Sequence, residues 1–496
     1  MRTILTGLVM ASLLAGCAGN PAATSSLSTA ANAAAASPDS GRKLAVAAPS
    51  PAEILASDTP GGARGEPGRK EHAGTWIGAA GASDFVVPGR QETQLGVWID
   101  VPAARRRARV PSAVSLVVDV SGSMGGDKIL HARTAARAFV DGLSDGDLIS
   151  VVTFSDTARE IVPPVVLDSR TRASVRAAVD QLEPVGGTNM FDGLRLGEGR
   201  AVTAPSTHAV RRVVLISDGQ ANVGPSSPEV LGEIAQRGAE RGVQVTSLGV
   251  GVDYDESTLN ELAMRSSGRL YHLTQPRDMP SILQKELALL QETAATDAFV
   301  EIVPAPGVTL IGVNGARAER SSDGALRVAL GSMFSGQHRE LLVRVNLDAP
   351  ANGAHPLASV RLHFRDAADG NLERVQEVVA RYQVTPDTAV VSAHQNARTQ
   401  TIAAMMDAGQ ATVEAAQQVN AGDFEAADQK LAVAEKKLQE TASRARSKDE
   451  QQRALAAAAV MSKQRSTTRA AAAAPAPARR ARALEMNGAG MQQMGY

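Results

Sequence analysis

The sequence predicts an α/β protein built on a doubly wound, mainly parallel sheet, with a flanking β-sandwich and a C-terminal helical segment. Two observations predict the sheet: unbroken apolar runs at 116–118 and 213–216, each followed by an acidic turn, and amphipathic helix patterns between such runs. A third observation predicts the sandwich, because apolar side chains recur at every second position in 341–347 and 360–364, as they do in half-buried antiparallel strands.

Length, charge and cysteine content limit the classes of protein that need to be considered. The 496 residues are enough for two or three domains. A formal net charge of −1 argues against a general nucleic-acid binder. Cys17 is the single cysteine, so a disulfide within the chain is excluded.

Residues 1–17 are predicted to be a signal peptide, with Arg2 as its charged start and an apolar stretch too short to span a bilayer. Its end, Leu-Ala-Gly-Cys, resembles the bacterial lipobox. The resemblance implies a lipidated Cys17 and a membrane anchor. In the lipoprotein family an aspartate at the position of Ala18 favours retention in the inner membrane. The resemblance therefore implies an outer-membrane location facing the periplasm or cell surface, if the organism has such a membrane, and the sequence alone leaves inner and outer membrane open. Residues 18–80, rich in Ala, Ser, Pro and Gly, are expected to be a disordered linker.

The remaining segments follow in order along the chain. Residues 83–111 contain one or two strands, because Leu95, Val97 and Ile99 alternate with less apolar neighbours. We expect these strands to join the β-sandwich at 297–385, so that the α/β domain at 112–292 is an insertion between strands of the sandwich. Residues 386–465 are expected to form a helical hairpin with a break at 420–422, and residues 466–496 a disordered tail.

Within the α/β domain, strands and helices are expected to alternate. Predicted helices cover 127–143, 171–182, 191–202, 229–241, 255–265 and 281–292, and further predicted strands cover 148–154, 160–167, 243–250 and 270–273. Pro163 and Pro164 cannot donate to a ladder, so the strand at 160–167 is predicted to lie at an edge of the sheet.

Five oxygen-bearing side chains follow strands or lie in loops of this domain. Asp119, Ser121 and Ser123 crowd one loop after the first buried strand, Thr188 precedes a helix, and Asp218 follows the second apolar run. The carboxyl ends of central strands are where open α/β sheets place ligands. Each position alone also fits an ordinary turn or helix-cap role. Together, hard oxygens in this arrangement suit a divalent cation such as Mg²⁺.

The same five positions carry a resemblance. Asp119-x-Ser121-x-Ser123, Thr188 and Asp218 resemble the metal-ion-dependent adhesion site of von Willebrand factor A domains, over about residues 112–292. The resemblance implies that the three hydroxyls bind Mg²⁺ (or Mn²⁺ or Ca²⁺) directly and the two carboxylates directly or through water. It also implies that an acidic side chain of a partner protein completes the coordination. The implied function is non-enzymatic, metal-dependent protein binding, as an adhesin or scaffold of the bacterial cell envelope.

Two alternatives remain open from the sequence. In the same class, the chain is a regulatory subunit of a larger envelope machine or one linked to an AAA+ ATPase. In another class, it is a serine hydrolase, because the segment around Ser121 and Ser123 nearly matches G-x-S-x-G and Asp218 and His272 follow in hydrolase order. A phosphatase with Asp119 as nucleophile would need a second aspartate where Ser121 stands.

Overall fold

The structure is a computed structural model that describes residues 74–103, 109–314, 316–445 and 447–495. The predicted signal peptide, Cys17 and residues 18–73 of the predicted linker lie outside the described residues. Among the helices that the structure describes, none is long and apolar enough to cross a membrane.

Strands and helices are numbered in chain order. The strands are β1 (Ile77–Gly81), β2 (Phe85–Val86), β3 (Gly89–Asp100), β4 (Ser112–Asp119), β5 (Leu148–Phe154), β6 (Ala158–Val166), β7 (Val210–Ser217), β8 (Val243–Val250), β9 (Arg269–Leu273), β10 (Thr293–Pro304), β11 (Val308–Asn314), β12 (Ala318–Arg320), β13 (Leu326–Phe334), β14 (His338–Ala349), β15 (Gly353–Asp366) and β16 (Leu372–Val384). The α-helices are α1 (Asp127–Gly142), α2 (Ser169–Asp180), α3 (Met190–Val202), α4 (Pro228–Ala239), α5 (Glu256–Ser266), α6 (Met279–Gln291), α7 (Thr388–Ala393), α8 (Ala397–Ala421), α9 (Phe424–Arg444), α10 (Lys448–Ala471) and α11 (Ala476–Gln493).

The α/β domain is built on a six-stranded sheet of order β6-β5-β4-β7-β8-β9. All pairs are parallel except β5–β6, and β6 lies at the edge, as its two prolines predict. Every residue of β4 is buried, because helices cover both faces of the sheet and form a separate apolar core with each face. The predicted doubly wound α/β fold is therefore confirmed.

A β-sandwich flanks this domain. Its sheets have the orders β1-β3-β14-β11 and β12-β13-β10-β15-β16-β2, and their inward residues, such as Val97 and Val343 from one sheet and Val300 and Val360 from the other, share one core. β3 precedes the α/β domain in the chain, β14 follows it, and the two strands pair along their length. The α/β domain is thus inserted between strands of the sandwich.

The sandwich begins earlier in the chain than the predicted linker at 18–80 allows. Ile77–Gly81 forms β1, which pairs with β3, and Trp76 is buried and stacks on Phe364 with 4.4 Å between ring centroids. The strand was missed because its sequence, Ile-Gly-Ala-Ala-Gly, has only one large apolar side chain. Its small residues leave room for neighbours, since a Cβ on Gly78 would collide with the ring of Trp98.

The C-terminal region also differs from the expectation of a hairpin at 386–465 and a disordered tail at 466–496. The described residues of this region form five helices, with α10 running to Ala471 and α11 covering Ala476–Gln493. Alanine and glycine carry little apolar surface, so the composition gave no sign of a buried face. Here small residues let helices approach closely: a Cβ on Gly409 of α8 would lie 3.0 Å from the carbonyl oxygen of Gly490 in α11.

Candidate metal centre

The five predicted site residues lie at one edge of the α/β sheet. β4 ends at Asp119, and the following loop carries Ser121 and Ser123. β7 ends at Ser217, one residue before Asp218, and β4 and β7 are adjacent and parallel. The carboxyl ends of the two strands therefore bring the loop and Asp218 side by side.

Asp119 fixes the shape of its own loop. Its side chain is fully buried, with Oδ1 accepting from the backbone N–H of Ser121 (2.8 Å) and Oδ2 accepting from the hydroxyl of Ser217 (2.7 Å). Burial raises the pKa of the Asp119 carboxyl, and the hydrogen bonds to Ser121 and Ser217 act in the opposite direction. Both carboxylate oxygens are thus engaged within the chain, which is the arrangement of a residue that orients ligands.

The hydroxyls form a continuous row of oxygens. Ser121 Oγ and Ser123 Oγ are 3.0 Å apart, and Ser123 Oγ donates to Asp218 Oδ1 at 2.7 Å. Two hydroxyls and one carboxylate oxygen thus follow one another, each within hydrogen-bond distance of the next. Distances of this size are those between neighbouring ligands of a small hard cation.

Thr188 faces the same space from a different loop. Its backbone N–H donates to Asn222 Oδ1 at 2.8 Å, and its carbonyl accepts from the N–H of Asn222 at 3.0 Å. A Cβ added to Gly219 would lie 3.5 Å from Ser123 Oγ and 3.7 Å from Thr188 Oγ1. The two hydroxyls therefore border one small space that the absence of a side chain at Gly219 keeps open.

This donor set fits a divalent cation. Three hydroxyls and two carboxylates are hard oxygen ligands, and Mg²⁺ combines such ligands with retained waters. The described residues contain no group of three or more His, Cys, Asp or Glu that could hold a metal. A site in which hydroxyls supply most ligands does not need such a group.

Comparison with known proteins identifies the domain. Residues 114–285 match the family model of the von Willebrand factor type A domain. This segment is a von Willebrand factor type A (VWA) domain. Domains of this family typically bind a divalent metal ion.

Two solved structures share the fold. The von Willebrand factor type A structure from Catenulispora acidiphila matches with a TM-score of 0.64 at 22% identity, covering 74% of this chain and 87% of that one. The ArnB paralog VWA2 from Sulfolobus acidocaldarius matches with a TM-score of 0.52 at 17% identity, covering 79% and 97%. At these identities the likeness supports the fold alone.

Relatives by sequence match this chain over part of its length. An uncharacterised protein of Synechocystis sp. is 25% identical over 316 residues, which is 60% of this chain and 74% of that protein. Inter-alpha-trypsin inhibitor heavy chain H2 of Mus musculus is 27% identical over 203 residues, which is 40% of this chain and 22% of the heavy chain. The chain therefore spans only a small part of the heavy chain.

Four side chains around the VWA site were not among the predicted residues. Ser217 and Asn222 hold Asp119 and Thr188, the carboxylate of Asp156 accepts from the N–H of Gly187 at 2.8 Å, and Lys128 pairs with Asp218. Ser217 could have been found, because it directly precedes Asp218 at the end of a strand. The other contacts depend on how separate loops cross.

The structure does not assemble the catalytic alternatives. Ser123 Oγ donates directly to Asp218, whereas His272 hydrogen-bonds to Tyr254, and burial lowers the pKa of His272 to about 4. His272 lies on β9, two strands from β7, or about 10 Å at the usual strand spacing. The buried and hydrogen-bonded Asp119 is likewise not presented as a nucleophile.

Proposed function

We propose that this protein is a non-enzymatic lipoprotein of the bacterial cell envelope that binds other proteins through a divalent cation. The observation that carries the proposal is the shared space bordered by Ser123, Thr188 and Gly219, next to the Ser121 hydroxyl and the Asp218 carboxylate. VWA domains are often adhesion or protein-interaction modules and are generally non-catalytic, which supports this class of function.

The predicted site residues would have different roles in metal binding. Ser121, Ser123 and Thr188 would offer their hydroxyl oxygens to Mg²⁺, Mn²⁺ or Ca²⁺, and Asp218 would bind directly or through water. Asp119 would hold the serine loop in place through its two hydrogen bonds. When bound, the cation supplies a position that accepts a carboxylate oxygen from an acidic side chain of the partner.

Metal titration of the full chain tests the proposal. Thr188→Val removes one hydroxyl while keeping the side chain's shape, so we expect the dissociation constant for Mg²⁺ or Mn²⁺, measured by calorimetry, to rise at least about tenfold. Ser392→Ala, which removes an exposed hydroxyl from α7, is the matched control and should leave the constant unchanged. Equal binding by wild type and Thr188→Val, or no binding by wild type, would overturn the proposed site.

Partner binding and anchoring need separate experiments. Proteins retained from solubilised membranes by the wild type in Mg²⁺ should be lost in EDTA and with Thr188→Val.

The proposed anchor predicts that Cys17→Ser moves the protein from the membrane fraction to the soluble fraction of bacterial cells. Retention that is indifferent to both EDTA and Thr188→Val would contradict metal-bridged binding, and an unchanged fractionation would contradict the lipid anchor.

A further inference from the structure

A basic side chain lies inside the oxygen-rich site. Nζ of Lys128 forms an ion pair with Asp218 Oδ2. The Asp218 side chain is fully buried, while that of Lys128 is 28% exposed. Because Asp218 Oδ1 already accepts from Ser123, Lys128 and Ser123 together occupy both oxygens of this carboxylate.

The backbone brings Lys128 to this position. Gly126, with φ of +73°, precedes α1, and Lys128 is the second residue of the helix. The stem of Lys128 also lies close to the loop after β8, since a Cβ on Gly251 would be 3.8 Å from Lys128 Cε. The side chain is therefore held between the start of α1 and the carboxyl edge of the sheet.

This placement runs against the usual preference for charge in helices. The first turn of a helix carries positive partial charge, so a lysine there is unfavourable and an acidic residue is favourable. The ion pair with Asp218 compensates for the local conflict. Residues that violate a local preference of their helix or strand, and are stabilised instead by a tertiary contact, are concentrated at functional sites.

We propose that Lys128 is a built-in counter-cation of the metal centre. It neutralises Asp218 and keeps the loops assembled before a metal binds, and it competes with the divalent cation for the Asp218 carboxylate. The proposal rests on the proposed function, because it concerns regulation of the same site. Lys128 would set the cation concentration at which the site fills, and would add positive charge to the filled site that faces an acidic partner.

The size of the effect follows from the proximity of the charges. A charged group within about 4–6 Å changes proton affinity at a neighbouring site by one to three powers of ten, and the same electric field acts on a metal ion. Removal of the Lys128 charge should therefore tighten metal binding by about tenfold or more. A purely structural ion pair predicts the opposite, since loss of Lys128 would disorder Asp218 and weaken metal binding.

Calorimetric titration of the full chain with MgCl₂ and MnCl₂ separates these outcomes. Lys128→Met and Lys128→Gln remove the charge, Lys128→Arg keeps it, and Lys285→Met removes an exposed charge from α6 as a control. We expect dissociation constants at least about tenfold lower for the two neutral variants, and values close to wild type for the other two.

Thermal unfolding provides a readout that does not require metal. In EDTA the neutral variants should unfold at a lower temperature than wild type, and saturating Mg²⁺ should remove most of that difference, since ligand binding stabilises the folded state. Neutral variants that bind metal as the wild type does, or more weakly, would overturn the inference while leaving the proposed site intact. If neither wild type nor the neutral variants bind metal, both the proposed function and the inference fail.

Discussion

Glu198 gives the VWA domain a pH-dependent stability that can be predicted in sign and size. It lies on α3 with 8% of its surface exposed, packed against α4, where a Cβ on Gly238 would be 3.0 Å from Glu198 Cγ. Burial raises the pKa of the Glu198 carboxyl from 4.5 to about 7, although Arg237 and Arg241 act in the opposite direction. The folded protein therefore binds this proton more tightly than the unfolded chain does.

The sign of the pH effect follows from that difference. Between pH 4.5 and about 7 the folded state holds more protons at this position than the unfolded state, so the free energy of unfolding falls as pH rises. The stabilisation is fully present below the unfolded pKa and is lost above the folded one. The interval from 4.5 to about 7 corresponds to at most about 3 kcal/mol.

Glu198→Gln keeps the size of the side chain and removes its charge. We expect the variant to differ from wild type by less than about 1 kcal/mol near pH 5 and to be more stable at pH 8 by up to about 3 kcal/mol. Unfolding would be followed by circular dichroism at several pH values in EDTA, with the exposed Glu229→Gln on α4 as a control. Taking the difference between variant and wild type cancels other titrating groups, including His272. A stability difference that is the same at pH 5 and pH 8 would refute the reasoning.

Two further predictions concern packing. A Cβ on Gly268 would collide with the carbonyl oxygen of Val245, so Gly268→Ala should lower the free energy of unfolding by more than about 2 kcal/mol. A Cβ on Gly199 in α3 would have no atom within 4 Å, so Gly199→Ala should raise the free energy of unfolding by about 0.5–1 kcal/mol. Thermal unfolding that ranks the two variants in the other order would contradict this prediction. Leu484 of α11 is fully buried in a core shared with the VWA domain, so Leu484→Ala should lower the free energy of unfolding by about 2–5 kcal/mol. Leu455 on α10 is half-exposed, so Leu455→Ala should change the free energy of unfolding by less than about 0.5 kcal/mol. Equal costs would mean that α11 does not stabilise the VWA domain.

The central fold was predictable because its signals are local. β4 and β7 are short apolar runs that end in acidic turns, and the amphipathic helices between such runs fix a doubly wound sheet. Apolar residues at every second position along parts of β3, β14 and β15 likewise predict half-buried strands. The elements that escaped prediction, β1 and α11, are rich in Gly and Ala. Their glycines lie close to Trp98 and to Gly409, and no local sequence pattern indicates such contacts.

The five residues of the candidate site were also predictable from local sequence, whereas their hydrogen-bond and ion-pair partners were not. Residue type and position after a strand or before a helix single out Asp119, Ser121, Ser123, Thr188 and Asp218 without coordinates. The partners of these residues are set by the crossing of loops that are distant in sequence. Lys128, 90 positions from Asp218, resembles any first-turn lysine until α1 and β7 are placed side by side.

The junction between the VWA domain and the sandwich has a mechanical consequence. α6 ends at Gln291 and β10 begins at Thr293, so Glu292 alone separates the domain's last helix from the sandwich. β10 is an interior strand, bonded to β13 on one side and β15 on the other. Tension entering through α6 would pull β10 lengthwise and load both ladders in shear, so that many hydrogen bonds resist together.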